Sequence, residues 1–398
     1  MTEMGTRAAE LERHPALQAE ALGDTLSDLV ATRSVNGRDS EAAMAERITH
    51  HLEGSGCELT SVESLPGRPS LAAVLQGSGD GPRLVLNGHM DTVSADDADR
   101  WSVDPFAGTI KDGAVWGRGA ADMKGGLTAQ IAVAHALASL ETLEGTLILH
   151  FAMGEERGEP GTLSLLQHGF DGDYGITTEP TNLEVATAQR GTGWFRFSIR
   201  GASAHAGTPD AGRNALMLLP ELLGALDRYE RSLADRTHPL FAPATCSPTI
   251  VRGGTEQNVI PADCELIVDR RLLPGDSSQQ TLEDFQTLVS ELNAAHDESP
   301  FAVEPHLNPF EPAEVPADTP FVTLVQEAVE TVTGQHRPPV GTPYGSDVRN
   351  LVNDAGMEAI TFGAGDVRLC HKPDERMPLE DLRRSALVLA HCAVALLA

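Results

Sequence analysis

Four short segments of this chain carry carboxylates and imidazoles in patterns that can hold metal ions: Gly88-His89-Met90-Asp91, Gly119 to Gly126 around Asp122, Gly154-Glu155-Glu156, and Thr178-Glu179-Pro180. A fifth, Cys370-His371-Lys372-Pro373-Asp374-Glu375, lies near the C-terminus. Two histidines and at least four carboxylates can therefore converge. Imidazole nitrogen with carboxylate oxygen and no thiolate suits zinc or a similar divalent ion. Any one segment alone reads more simply as a capping Asp, a solvated Glu or a hydrogen-bonded His, so the argument rests on all five together. The glycines around Asp122 are wrongly spaced for a dinucleotide fingerprint, and no acidic ribose ligand follows them.

The elements predicted around these segments are those of an α/β protein. Ala16 to Thr32, Glu41 to Gly54 and Gly125 to Leu140 read as helices, while Leu71 to Leu75, Leu84 to Asn87, Leu147 to Ala152 and Tyr174 to Thr178 read as buried strands. The site segments follow directly on strands, where open α/β sheets build their sites. From about Gly191 the pattern changes to β-α-β-β-α-β, with strands at Trp194 to Arg200, Pro248 to Arg252, Cys264 to Arg270 and Phe301 to His306 and helices at Asn214 to Ser232 and Leu282 to His296. That order predicts a ferredoxin-like inserted domain over residues 190–306. A Pro-rich return linker, Pro305 to Pro320, leads back to helix Phe321 to Thr333 and strand Ala359 to Gly363, so residues 1–189 and 307–398 form the other domain.

The motifs Asn87-Gly-His-Met-Asp-Thr-Val93, Gly117-Arg-Gly-Ala-Ala-Asp-Met-Lys-Gly-Gly126, Gly154-Glu-Glu156, Ala204-His-Ala-Gly207, Asp269-Arg-Arg-Leu-Leu-Pro274 and His371-Lys-Pro-Asp-Glu375 appear in that order. With them the chain resembles the dinuclear zinc amidohydrolases that include acetylornithine deacetylase, succinyl-diaminopimelate desuccinylase, aminoacylase and carboxypeptidase G. The resemblance covers nearly the whole chain. It implies a zinc-dependent exopeptidase-like catalytic domain with an inserted α+β lid, and two Zn2+ ions for which Co2+ or Mn2+ can substitute.

Carried over residue by residue, it implies that Asp122 bridges the ions, with His89 and Glu179 completing one and Glu156 and His371 the other. Asp91 orients the His89 ring, and Glu155 is the general base. A cis peptide is implied between Asp122 and Met123. From the lid, His205 donates to the oxyanion, Asn258 contacts substrate, and Arg271 holds a substrate carboxylate. Arg270 is its alternative, since neighbours on a strand face opposite sides. The substrate implied is an N-acyl amino acid or short peptide. Lys372 to Glu375 and Tyr344 to Asp347 look closest to the acetylornithine deacetylase branch, with dipeptidase or carboxypeptidase action as the alternative and a non-catalytic scaffold as the rival from another class. Dimeric relatives pair through their lids, so a homodimer is expected.

The formal charge of -29 repels phosphate backbones and anionic lipid heads, which argues against nucleic-acid or membrane partners. Only three lysines occur, Lys111, Lys124 and Lys372, as salt adaptation or a GC-rich genome would produce. The acidic N-terminus lacks the apolar block of a secretory signal, which predicts a cytoplasmic protein. Five scattered cysteines with no CxxC spacing are expected to be reduced.

Overall fold

The computed structural model of the chain describes residues 11–140 and 142–398. The described residues divide into two compact units, the first formed by residues 11–188, 314–342 and 346–398 and the second by residues 189–313 and 343–345.

The first unit is built on a mixed sheet. From one edge the first seven of its nine strands run Glu58–Leu65, Arg68–Leu75, Thr146–Ala152, Arg83–His89, Tyr174–Thr177, Glu358–Thr361 and Ala186–Gln189. The four from Thr146–Ala152 to Glu358–Thr361 are mutually parallel. Parallel strands covered on both faces read as unbroken apolar runs, and all seven residues of Thr146–Ala152 are buried. Because these strands point the same way, their C-terminal ends share one edge. His89, the Glu155 turn and Glu179 therefore leave the sheet together.

The helix Gly125–Ala138 is buried over nearly its whole length, and the C-terminal helix Leu379–Leu397 shares its core. Small residues allow close approach: a Cβ on Gly126 would lie 2.3 Å from the Thr178 carbonyl oxygen. Glycine there lets the helix start beside the strand end that carries Glu179. Among the elements that the sequence pattern missed are a sheet strand and the C-terminal helix. Strand Glu58–Leu65 is an edge strand with one fully buried position, so it lacks apolar alternation. Helix Leu379–Leu397 is buried on most sides, so its apolar residues form no clear stripe.

In the second unit the antiparallel order is Thr245–Gly253, Asp263–Leu272, Gly191–Arg200, Phe301–Pro305, with helices Leu219–Ser232 and Ser278–Asn293 in the connections. In chain order that is strands 2-3-1-4 of a split βαβ arrangement. Its core gathers Phe195, Phe197 and Phe285, the last with rings 5.0 and 5.1 Å from the other two. The unit runs to Ala313 where the sequence pattern ends it at residue 306. Thr192 and Phe310 exchange backbone hydrogen bonds of 2.7 and 2.9 Å, and the Glu311 carboxylate accepts from the Ser278 amide at the start of a helix. The Pro-rich segment is thus partly a piece of this unit.

Among the described residues no helix is long and apolar enough to cross a membrane. The five cysteines are free thiols.

Candidate metal centre

The residues from the sheet edge meet in a small buried cluster. His89 stands at the end of its strand and is 1% exposed. Its Nδ1 lies 2.9 Å from the Asp91 carbonyl oxygen and 3.5 Å from the Asp91 carboxylate. Both are acceptors, so Nδ1 carries the proton and Nε2 presents its lone pair. That bare nitrogen is buried without a hydrogen-bond partner. It faces Asp122 Oδ1 at 3.3 Å and Glu179 Oε1 at 3.4 Å. A lone pair aimed at two carboxylate oxygens is repulsive unless a proton or a metal ion lies among them.

A second imidazole repeats the arrangement on the other oxygen of the same carboxylate. His371 Nε2 lies 3.1 Å from Asp122 Oδ2 and 3.3 Å from Glu156 Oε2. Two ligands of one tetrahedral zinc, with bonds of about 2.0–2.1 Å, lie about 3.3 Å apart. The donor set therefore fits a pair of divalent ions, and two groups with donor atoms within 4.8 Å of one another are present, His89 with Asp122 and Glu156, and His89 with Glu155 and Glu179.

Charge points the same way. Burial works against protonating His89, but Glu179, Asp122 and Asp91 outweigh it and raise its pKa well above the usual value. Asp122 and Glu156 hold His371 up at about 11. Burial, together with the charge of Asp122, pushes Glu179 up to about 7. Burial likewise raises Glu155, with Glu179, Asp347 and Glu156 adding to it. Asp122 goes down despite burial, because both imidazoles face it. Four carboxylates gathered around two rings are short of positive charge, and two dications would supply it.

The surrounding residues hold this cluster in shape. Gly154, at φ 78°, turns the chain past strand Thr146–Ala152. The Asp91 carboxylate then accepts from the amides of Glu155 and Glu156, both at 3.1 Å, and from Asn36 Nδ2 at 2.7 Å. Its carboxylate thus fixes the glutamate turn as well as facing the His89 ring. The Asp122–Met123 peptide is cis. Glu375 Oε1 accepts from the amides of Ala121 and Asp122, and Oε2 from Arg118 at 2.5 Å. Burial pushes Glu375 up to about 7 against the pull of Arg118 and the two amides. Thr162 donates to Asp347 at 2.7 Å and accepts from Asn87 at 2.8 Å behind the strand ends. Sequence reasoning gave no role to Asn36, Arg118 or Glu375. Arg118 and Glu375 lay inside quoted motifs, and only their partners reveal what they do.

His205, Asn258 and Arg271 belong to the second unit. His205 pairs with Val259 on a two-strand ladder, and the Ala206 amide donates to the Asn258 carbonyl at 2.9 Å, so His205 and Asn258 are neighbours. The exposed His205 ring accepts the Gly207 amide on Nδ1 at 2.9 Å, which leaves Nε2 as its N–H donor. Arg270 is 0% exposed and pairs with Asp276 at 3.1 Å. Arg271 points to the other face, 38% exposed and paired with Asp269 at 2.9 Å.

A buried cluster fit for two divalent ions at the C-terminal edge of a parallel sheet defines a metal-dependent hydrolase, and comparison with known proteins gives its family. The model of peptidase family M20/M25/M40 matches residues 85–395, and the chain belongs to that family. It is 29% identical over 388 residues to an acetylornithine deacetylase of Myxococcus xanthus, covering 94% of this chain and 96% of that one. It is 28% identical over 404 residues to an N-formyl-4-amino-5-aminomethyl-2-methylpyrimidine deformylase of Halalkalibacterium halodurans, covering 94% and 93%. The fold is similar to that of a dinuclear metal-binding peptidase of Bacillus subtilis, with a TM-score of 0.68 at 20% identity over 95% of this chain and 98% of the other.

Proposed function

We propose that the chain removes the acyl group of an N-acyl amino acid by hydrolysing its amide bond, using two zinc ions held by His89, Asp122, Glu156, Glu179 and His371. The observation that carries this reading is the pair of imidazoles set against opposite oxygens of Asp122, at 3.3 and 3.1 Å. Ions held there would polarise a carbonyl and acidify a water at neutral pH, and Co2+ or Mn2+ would serve in place of zinc.

Glu155 is the general base. It stands beside the ligand Glu156, its Oε2 is 3.8 Å from His89 Nε2, and burial raises its affinity for a proton. A carboxylate of that kind takes a proton from water and holds it until the leaving amine accepts it. His205 donates its Nε2–H to the oxyanion, the Arg271 fork holds a substrate carboxylate, and Asn258 contacts the substrate beside His205. The second unit acts as the lid and pairs with its counterpart in a homodimer in the cytoplasm. Its outer strand Thr245–Gly253 supports this, since Ile250 and Val251 are 43% and 55% exposed. The two relatives whose names describe removal of a small acyl group from nitrogen favour deacylation. Dipeptide cleavage would use the same groups.

The test is a substrate panel of N-acetyl, N-formyl and N-succinyl amines against dipeptides, run with metal analysis. Glu155→Gln should lower kcat by about a hundredfold or more while both ions remain bound. Near-normal turnover in that variant would remove Glu155 from the mechanism.

A further inference from the structure

We propose that Glu375 is a positioning residue for the bridging carboxylate: it ties the loop that carries His371 to the turn that carries Asp122. The ion between His371, Asp122 and Glu156 therefore depends on it more than the ion between His89, Asp122 and Glu179 does. This rests on the dinuclear reading above.

The asymmetry comes from how the ligands are supported. His89, Glu156 and Glu179 follow directly on parallel strands of the sheet, and His89 is further oriented by its Nδ1 contact of 2.9 Å to the Asp91 carbonyl. His371 has no such support. It sits in a loop at φ 61°, its side chain is 52% exposed, and among the described residues its Nδ1 makes no hydrogen bond. A metal-bound imidazole with nothing on its other nitrogen is placed only by its backbone.

That backbone is anchored four residues on. The Glu375 carbonyl accepts from the Gly117 amide at 2.9 Å, and the next residues, Arg376 to Pro378, pair antiparallel with Ala114 to Trp116. The Glu375 side chain then turns back to the Asp122 turn. Oε1 takes the amides of Ala121 and Asp122 at 3.0 and 3.2 Å, and Oε2 takes Arg118. Arg118 and Glu375 are 2% and 0% exposed, and Arg118 is held in turn by the Ser94 carbonyl at 3.2 Å and the Trp101 ring at 5.2 Å. One carboxylate thus sets the Asp122 backbone and the His371 loop in a single frame. A purely structural ion pair would need only Arg118. The two amide bonds make the link to Asp122 specific.

The experiment separates acceptor from charge by removing Arg118 as well, so that no buried cation is left unpaired. Metal-free protein is titrated with Zn2+ by calorimetry and with Co2+ by visible absorption. Wild-type chain should take up two ions. In Arg118→Met/Glu375→Leu, which has no acceptor for the amides, the first ion should bind within about threefold of wild type and the second about ten- to hundredfold more weakly. In Arg118→Met/Glu375→Gln a carboxamide oxygen can again accept both amides, and the second affinity should return to within about threefold. Glu375→Asp, which keeps a charge near Arg118 but withdraws it from the amides, should weaken the second ion selectively and serves if the leucine variant does not fold. Equal loss of both ions, or leucine and glutamine variants that behave alike, would overturn the proposal. A wild-type chain that takes up fewer than two ions would overturn the dinuclear reading itself, and this proposal with it.

Discussion

Glu179 shows how the metal-free cluster should respond to pH. Its carboxyl is held at about 7 in the folded chain, chiefly by burial, against an ordinary 4.5. Between roughly those two values the folded chain keeps a proton that the unfolded chain has lost, so this residue makes stability fall as pH rises through the window. Glu179→Gln should therefore raise the stability of metal-free protein at about pH 8 by about 3 kcal/mol, with a higher melting temperature, and leave both unchanged near pH 4. With Zn2+ present the same variant should lose affinity for one ion. Thermal unfolding with and without chelator, at both pH values, checks each part.

The two adjacent arginines make a second residue-scale contrast. Arg270→Ala breaks a buried pair and empties the space of a fully buried side chain, while Asp276 keeps Arg236 at 2.7 Å, so stability should fall by about 2–3 kcal/mol. Arg271→Ala, on the open face, should leave the melting temperature within about a degree or two and raise KM for a carboxylate-bearing substrate about tenfold or more. Denaturation curves and steady-state kinetics on both variants test the assignment. A KM effect confined to Arg270→Ala would reverse it.

At the scale of elements, the parallel strands act as the frame and the loops beyond them as the chemistry. Three of the five proposed ligands come from strand ends, and their spacing is set by hydrogen-bonded register, such as Leu86 beside Ile176 and Leu149. The second unit stands on its own core, where Phe285 is 0% exposed among Phe195, Phe197 and Tyr229. Phe285→Ala should cost about 3–5 kcal/mol there. Chemical denaturation followed by ellipticity should show an early transition in this variant, while Zn2+ uptake by the first unit stays near normal. Loss of metal together with the first transition would mean that the two units unfold as one.

For the whole molecule, the homodimer proposal can be tested through His205. If His205 of one chain completes the site of the other, Glu155→Gln and His205→Ala chains are each inactive alone. Subunit exchange between them then creates one composite site with neither defect. Activity should reappear, to about a quarter of wild type after random mixing, since half of the dimers are mixed and each has one intact site. Exchange shown by mass measurement with no return of activity would assign His205 a role within its own chain, or none. The net charge of -29 leaves an acidic exterior, and association should tighten with added salt as like charges are screened.

The sequence alone determined the alternation of helix and strand, the change of pattern near Gly191 and the segments that carry the proposed ligands. These are local signals: periodicity within one element, or a ligand within four residues of a strand's end. His89, Glu156 and Glu179 were legible for that reason. Tertiary structure decided what joins them. Asn36 reaches Asp91 across 55 positions, Thr162 reaches Asp347 across 185 and Arg118 reaches Glu375 across 257. Such pairs follow from sheet order and crossover connections, which no local pattern encodes. The same holds for which oxygen of Asp122 faces which imidazole, and for Arg270 turning into a core while Arg271 turns out. A strand's two faces are equivalent in sequence until packing makes one of them an interior.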